Sequence, residues 1–138
     1  MYEPNILVID DLMLESKNDK NVVNIFTKGS HHRNISVFML LQNVFFKSPA
    51  MRTVSLNSHY LILMKNPRDR SQIRYLAQQL YPTNIKQLIE AYNDATKLPY
   101  TYIKVDCTPK TPDEFRLQAR ITPDPDSGLI SPVIYKPK

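Results

Sequence analysis

Glycine is almost missing from this sequence: of 138 residues only Gly29 and Gly128 lack a side chain. A phosphate-cradling loop of the GxxxxGK[ST] or GxGxxG kind needs several closely spaced glycines, so that backbone amides can approach the anion, and neither can be written here. The chain therefore holds no self-sufficient nucleotide site of the usual kind. Cysteine is limited to Cys107, which excludes an internal disulfide framework and suits a reducing, intracellular setting. Long apolar runs are also missing. The longest, such as Val37 to Leu41, fall far short of the ~20 residues of a membrane span. The start Met1-Tyr2-Glu3-Pro4 has neither a basic nor an apolar region, so no signal peptide is expected. No internal repeat is visible.

What remains is globular in composition, 42% hydrophobic and 22% charged, which argues against wholesale disorder. A net charge of +5 permits a polyanionic partner without demanding one. Its cations concentrate at Lys65-Arg68-Arg70-Arg74 and at His31-His32-Arg33. Both clusters read equally as solvated surface or as nucleic-acid contacts.

Asn5-Ile-Leu-Val-Ile9 is a short apolar run ending in Asp10-Asp11, the pattern of a strand buried on both faces. Residues 15 to 28 carry Val22, Val23, Ile25 and Phe26 at helical spacing, and Gly29 is placed to end that helix in a left-handed conformation. Ile35 to Leu41 is a second buried strand, ending at Gln42-Asn43. Strand, helix, strand, with both strands nearly all apolar, predicts a parallel α/β unit joined by a right-handed crossover. Tyr60 to Met64 predicts a third buried strand. Ile73, Leu76, Ala77 and Leu80 predict an amphipathic helix stopped by Pro82, and Ile85, Leu88, Ile89 and Tyr92 a second, capped by Thr83 or Asn84. Tyr100 to Val105 alternates as a half-buried strand. Beyond Asp106 the proline-rich stretch reads as an extended tail with an edge segment at Val133-Ile134-Tyr135.

Ligands of open parallel sheets bind beyond the carboxyl ends of the strands, where Asp10, Asp11 and Gln42 stand. An acidic pair there suits metal-assisted phosphoryl transfer. One carboxylate can hold Mg²⁺ through water, the other can deprotonate an attacking water, and an amide on the neighbouring strand can bond water and γ-phosphate. The plain alternative is a helix N-terminus enriched in acids for its dipole.

Ile6-Leu7-Val8-Ile9-Asp10-Asp11 looks like a Walker B motif, followed by Gly29-Ser30-His31-His32-Arg33-Asn34, by Leu41-Gln42-Asn43 and by Met51-Arg52-Thr53. This order resembles the C-terminal half of the HerA/FtsK superfamily of DNA-pumping ATPases, closest to the packaging ATPases of large DNA viruses and Maverick/Polinton-type (adintovirus-like) elements. The resemblance runs from about Asn5 to the tail. It implies ATP-driven translocation of double-stranded DNA by a homo-oligomeric ring, with Asp10 the Mg²⁺ carboxylate, Asp11 the catalytic base and Gln42 the sensor. It also implies a fold: an α/β chain forming the C-terminal half of a P-loop (ASCE-type) ATPase core over residues 1–107, with a proline-rich tail over 108–138. The N-terminal half of such an ATPase, neighbouring subunits and DNA are the implied partners, with no membrane. Two departures stand out. The family's Walker A segment is absent, so ATP and Mg²⁺ are not expected to bind tightly to this chain alone. Where relatives often carry an arginine in the loop before the Gln-ended strand, this sequence has His31 and His32, with Arg33 just after.

The Gly29 to Asn34 loop enters its strand from the edge opposite Asp10, where only a neighbouring subunit's nucleotide could be reached. Arg33 and Arg52 are the candidates for a trans-acting arginine, a device worth on the order of 10³-fold or more in rate. A solvated loop is the plain alternative. His31-His32 makes a poor metal site, since adjacent side chains diverge and no further ligand stands at zinc spacing. His59 reads as a strand-edge residue and Cys107 as non-nucleophilic. Tyr100 and Tyr102 read as packing or interface residues on one strand face. A non-catalytic DNA- or protein-binding module derived from such an ATPase is the alternative function.

Overall fold

The structure, a computed structural model, describes residues 5–10, 19–29, 34–42 and 49–137. The chain is a mixed α/β protein that divides into two compact units, residues 1–58 and 59–138.

In the first unit, β1 (Asn5–Asp10) pairs in parallel with β2 (Ile35–Leu40), Asn5 opposite Ile35 and Asp10 opposite Leu40. Between them come α1 (Asp19–Asn24) and a π-helical turn at Ile25–Gly29. α2 (Pro49–Asn57) follows β2 and packs against α1; Val22, Met51 and Val54 are the buried residues of these two helices. The parallel pairing is as expected; the burial is not. Only Ile9 of β1 is buried, while Ile6 and Val8 are 69% and 55% exposed. On β2, Phe38 and Leu40 are exposed too. Among the described residues this sheet has two strands, too few to be sandwiched between layers. Gly29 also departs from its expected role. It closes the π turn without a left-handed φ, and it is Asn34, at φ 50°, that turns the chain into β2.

The second unit is built on an antiparallel sheet ordered β3 (Tyr60–Met64), β4 (Tyr102–Asp106), β5 (Leu117–Ala119) and β6 (Val133–Ile134). Two helices, α3 (Ser71–Leu80) and α4 (Ile85–Ala95), pack on each other, and α4 lies against β4 and β5. The predicted apolar stripes are the buried ones: Leu76 and Ala77 of α3, Leu88 and Ala91 of α4. Facing them are Leu63, Ile103, Val105, Leu117 and Ala119, alternate residues that put one sheet face into the core. Asn84 takes the N-cap position of α4 but makes no capping bond; α3 is entered through Asp69, whose carboxylate accepts from the Ser71 amide at 3.0 Å.

Tyr60 to Met64 is therefore an edge strand with one face in water, not a strand buried on both sides. Tyr60, Ile62 and Met64 are each more than half exposed. Tyr100 is not on the strand at all. It precedes β4 at φ 60° and is 96% exposed, so it does not share a face with Tyr102. The proline-rich stretch is no free tail, because it supplies β5 and the expected edge segment β6, and Leu117 is fully buried. Tyr135 fastens this end by donating its hydroxyl to Asp94 Oδ2 at 2.7 Å, and its amide donates to Leu117 O. Among the described residues no helix is long and apolar enough to cross a membrane.

Candidate functional site

Parallel pairing in strict register carries the chemistry of β1 and β2 to one edge. Asp10 ends β1 opposite Leu40, and Gln42 follows two residues beyond. Asp10, Leu40, Leu41 and Gln42 line an open cavity of about 360 Å³. Both polar residues are exposed, so solvent and ions reach them freely. Asn34 marks the other end of β2, six residues away, or about 20 Å at the rise of an extended chain.

Asp11, the second expected carboxylate, lies outside the described residues, as do His31, His32 and Arg33. Arg52 is exposed on α2. Among the described residues no three His, Cys, Asp or Glu side chains gather as a metal cage. One carboxylate beside one amide, open to water, does suit a largely hydrated Mg²⁺, an ion that keeps most of its water and takes one or two protein carboxylates beside substrate phosphates. Tetrahedral zinc needs more and softer ligands than stand here.

A second polar cluster stands in the other unit. Asp106 Oδ1 accepts from the Thr108 amide at 3.0 Å and the Thr108 hydroxyl at 2.7 Å. Thr108 Oγ1 and Thr111 Oγ1 are 3.0 Å apart. Arg116 Nη1 donates to Asp106 O and Thr108 O, and its Nε donates to Asp113 at 2.7 Å. Burial pushes the Asp106 carboxyl up, but bonds from Thr108 and Thr111 and the nearby Lys104 outweigh it and hold the group below its ordinary range. Its readable signal is Asp106-x-Thr108, an Asx turn at the end of a strand. Here the cluster pins residues 106–116 to the sheet. Cys107, beside it, has its thiol pushed up chiefly by burial, which suppresses the thiolate. His59 stands at the strand edge as expected, its carbonyl accepting from the Cys107 amide at 2.8 Å.

The basic run at 65–74 forms the exit of β3 and the start of α3. Asn66 Oδ1 accepts from Arg68 N at 3.1 Å, closing a turn that leaves Lys65, Arg68, Arg70 and Arg74 exposed. Tyr92 locks that turn, donating to Met64 O at 3.0 Å and accepting from Asn66 N at 3.1 Å. Comparison of the chain with protein-family models, curated proteins and solved structures returns no match.

Proposed function

We propose that this chain carries the carboxylate and sensor half of an ATP-driven motor that translocates or packages double-stranded DNA, built as the C-terminal half of a P-loop core. The observation that carries the reading is the parallel, in-register pairing that brings Asp10 and Gln42 to one open cavity at the carboxyl edge of the sheet. In this reading Asp10 would hold hydrated Mg²⁺, which would supply positive charge beside the transferred phosphoryl group. Asp11 takes the proton of the attacking water, and Gln42 orients that water with its amide. Arg33 or Arg52 serves a neighbouring subunit's nucleotide. The amides that cradle the β- and γ-phosphates come from another segment, because this sequence has no glycine-rich loop to supply them.

A second reading, a non-catalytic DNA- or protein-binding module, is favoured by the exposed apolar faces: Ile6, Val8, Phe38 and Leu40 in one unit, Tyr60, Ile62 and Met64 in the other.

Two measurements test these readings, and the second separates them. The purified chain should turn over no ATP above background; Mg²⁺-dependent hydrolysis abolished by Asp11→Asn would show that some other segment cradles the phosphates. Titration with paramagnetic Mn²⁺ should broaden the backbone resonances of Asp10 and Gln42 before any others, and Asp10→Asn should relieve it. Broadening that ignores both residues would leave the binding module as the better account.

A further inference from the structure

Serine or threonine precedes proline five times in this sequence: Ser48-Pro49, Thr108-Pro109, Thr111-Pro112, Thr122-Pro123 and Ser131-Pro132. Ser48 lies outside the described residues; the other four occupy very different surroundings. Thr108 is half-buried, its hydroxyl donating to Asp106 and meeting Thr111. The Thr111 hydroxyl is tied into the same cluster. Thr122 Oγ1 shares a hydrogen bond with the Tyr102 hydroxyl at 3.1 Å. Ser131 alone of the four is exposed with no side-chain partner.

Ser131 is also presented rather than merely exposed. The loop between β5 and β6 closes on itself just before it: Asp124 Oδ1 accepts from the amides of Asp126 and Ser127 and from the Ser127 hydroxyl, at 2.8 to 3.1 Å. The Gly128 amide donates to Asp124 O, the Asp124 amide donates to Leu129 O, and Gly128 sits at φ 68°, a conformation that favours glycine. Beyond this knot, residues 129–132 belong to no helix or strand, and Leu129 and Ile130 are 68% and 57% exposed. An irregular stretch with exposed apolar side chains next to a free hydroxyl is what a protein kinase must grip along its substrate groove. Pro132, which has no N–H, asks for a kinase whose groove needs no donor at that position.

We propose that Ser131 is a phosphoacceptor for a proline-directed protein kinase, selected over the other described Ser/Thr-Pro pairs by its free hydroxyl and its place beyond the closed loop. In the reaction, Ser131 Oγ attacks the γ-phosphorus of a nucleoside triphosphate and the bond to the β-phosphate oxygen breaks. The diphosphate leaves, and the serine proton passes to the kinase's carboxylate. Residues 121–135 hold two charges, Asp124 and Asp126, and no lysine or arginine. A phosphate adds about 1.5 to 2 further negative charges to this stretch of an otherwise basic chain.

The test uses the full chain carrying Ser48→Ala, so that the four described pairs compete, with a proline-directed kinase and ATP. Phosphorylation is mapped residue by residue over time by mass spectrometry. Ser131 should be labelled on the order of tenfold faster than Thr108 or Thr111, whose hydroxyls must first leave their hydrogen bonds. Ser131→Ala should remove most of the incorporation while leaving the circular dichroism spectrum unchanged. Equal or faster labelling of Thr108 or Thr111 would overturn the proposal. So would an unlabelled Ser131 in a tube where a short Ser-Pro control peptide is phosphorylated.

Discussion

The two units bury their apolar residues to very different extents. In residues 59–138 one face of a four-stranded sheet is closed by α4, and Leu88, Ile103 and Leu117 are wholly shielded. In residues 1–58 the sheet residues are as apolar, yet Ile6, Val8, Phe38 and Leu40 stand in water, and among the described residues only Ile9, Val22, Met51 and Val54 are buried apolar side chains. Apolar composition alone does not make a core. A core needs a second layer at the right distance, and the antiparallel unit forms one from its own helices.

The sharpest way to break this contrast is to cut matched side chains. Ile103→Ala, at the centre of the buried face, should cost about 2–5 kcal/mol in urea-induced unfolding, while Val8→Ala should cost less than about 0.5 kcal/mol. Equal losses would mean that β1 is covered in solution. A middle-sized effect comes from Asp106. Its carboxyl lies below the ordinary range in the folded chain, so its contribution is complete above the unfolded value of about 3.9 and is lost as pH falls through the folded value. Asp106→Ala, which strands the Thr108 amide and hydroxyl, should cost roughly 1–3 kcal/mol near neutral pH. The gap between variant and parent should narrow below about pH 4, and a pH-independent gap would deny the carboxylate its role. The smallest effect is at Tyr135. Burial and the bond to Asp94 push its hydroxyl up to about 12; burial raises the Tyr81 hydroxyl too, so ultraviolet titration should show a last step near 12 that belongs to Tyr135. Tyr135→Phe should remove that late step and cost about 0.5–1.5 kcal/mol.

Much of this architecture was legible in the residues. The apolar runs ending at Asp10 and Gln42 announced parallel strands with polar carboxyl ends, and the three- and four-residue spacings of α3 and α4 marked the stripes that are buried. What misled was uniformity. Tyr60-Leu-Ile-Leu-Met64 is apolar at every position, so its sequence could not reveal that only Leu61 and Leu63 turn toward the core side. β5 is not legible in the sequence because three residues among prolines give no period, and its strand character comes from pairing with Lys104 and Val105 of β4. Gly29 invited a left-handed stop that the π turn made unnecessary. Of the site, Asp10 and Gln42 were found where strand ends predicted them, whereas the Asp106 cluster depends on Arg116 returning from ten residues away.

β3 has a consequence for handling the protein. Among the described residues it is the outermost strand of its sheet; it holds no lysine, glutamate or proline among its five residues, and its exposed face is Tyr60, Ile62 and Met64. Protein edges are ordinarily guarded by a charge, a proline or a bulge, and this one has none of the first two within it. This ribbon is one place where nascent or refolding chains at high concentration will pair, so yield should fall as expression is raised. Ile62→Glu, which places a charge on the water-facing side opposite Lys104 and leaves the core untouched, is the substitution to restore it.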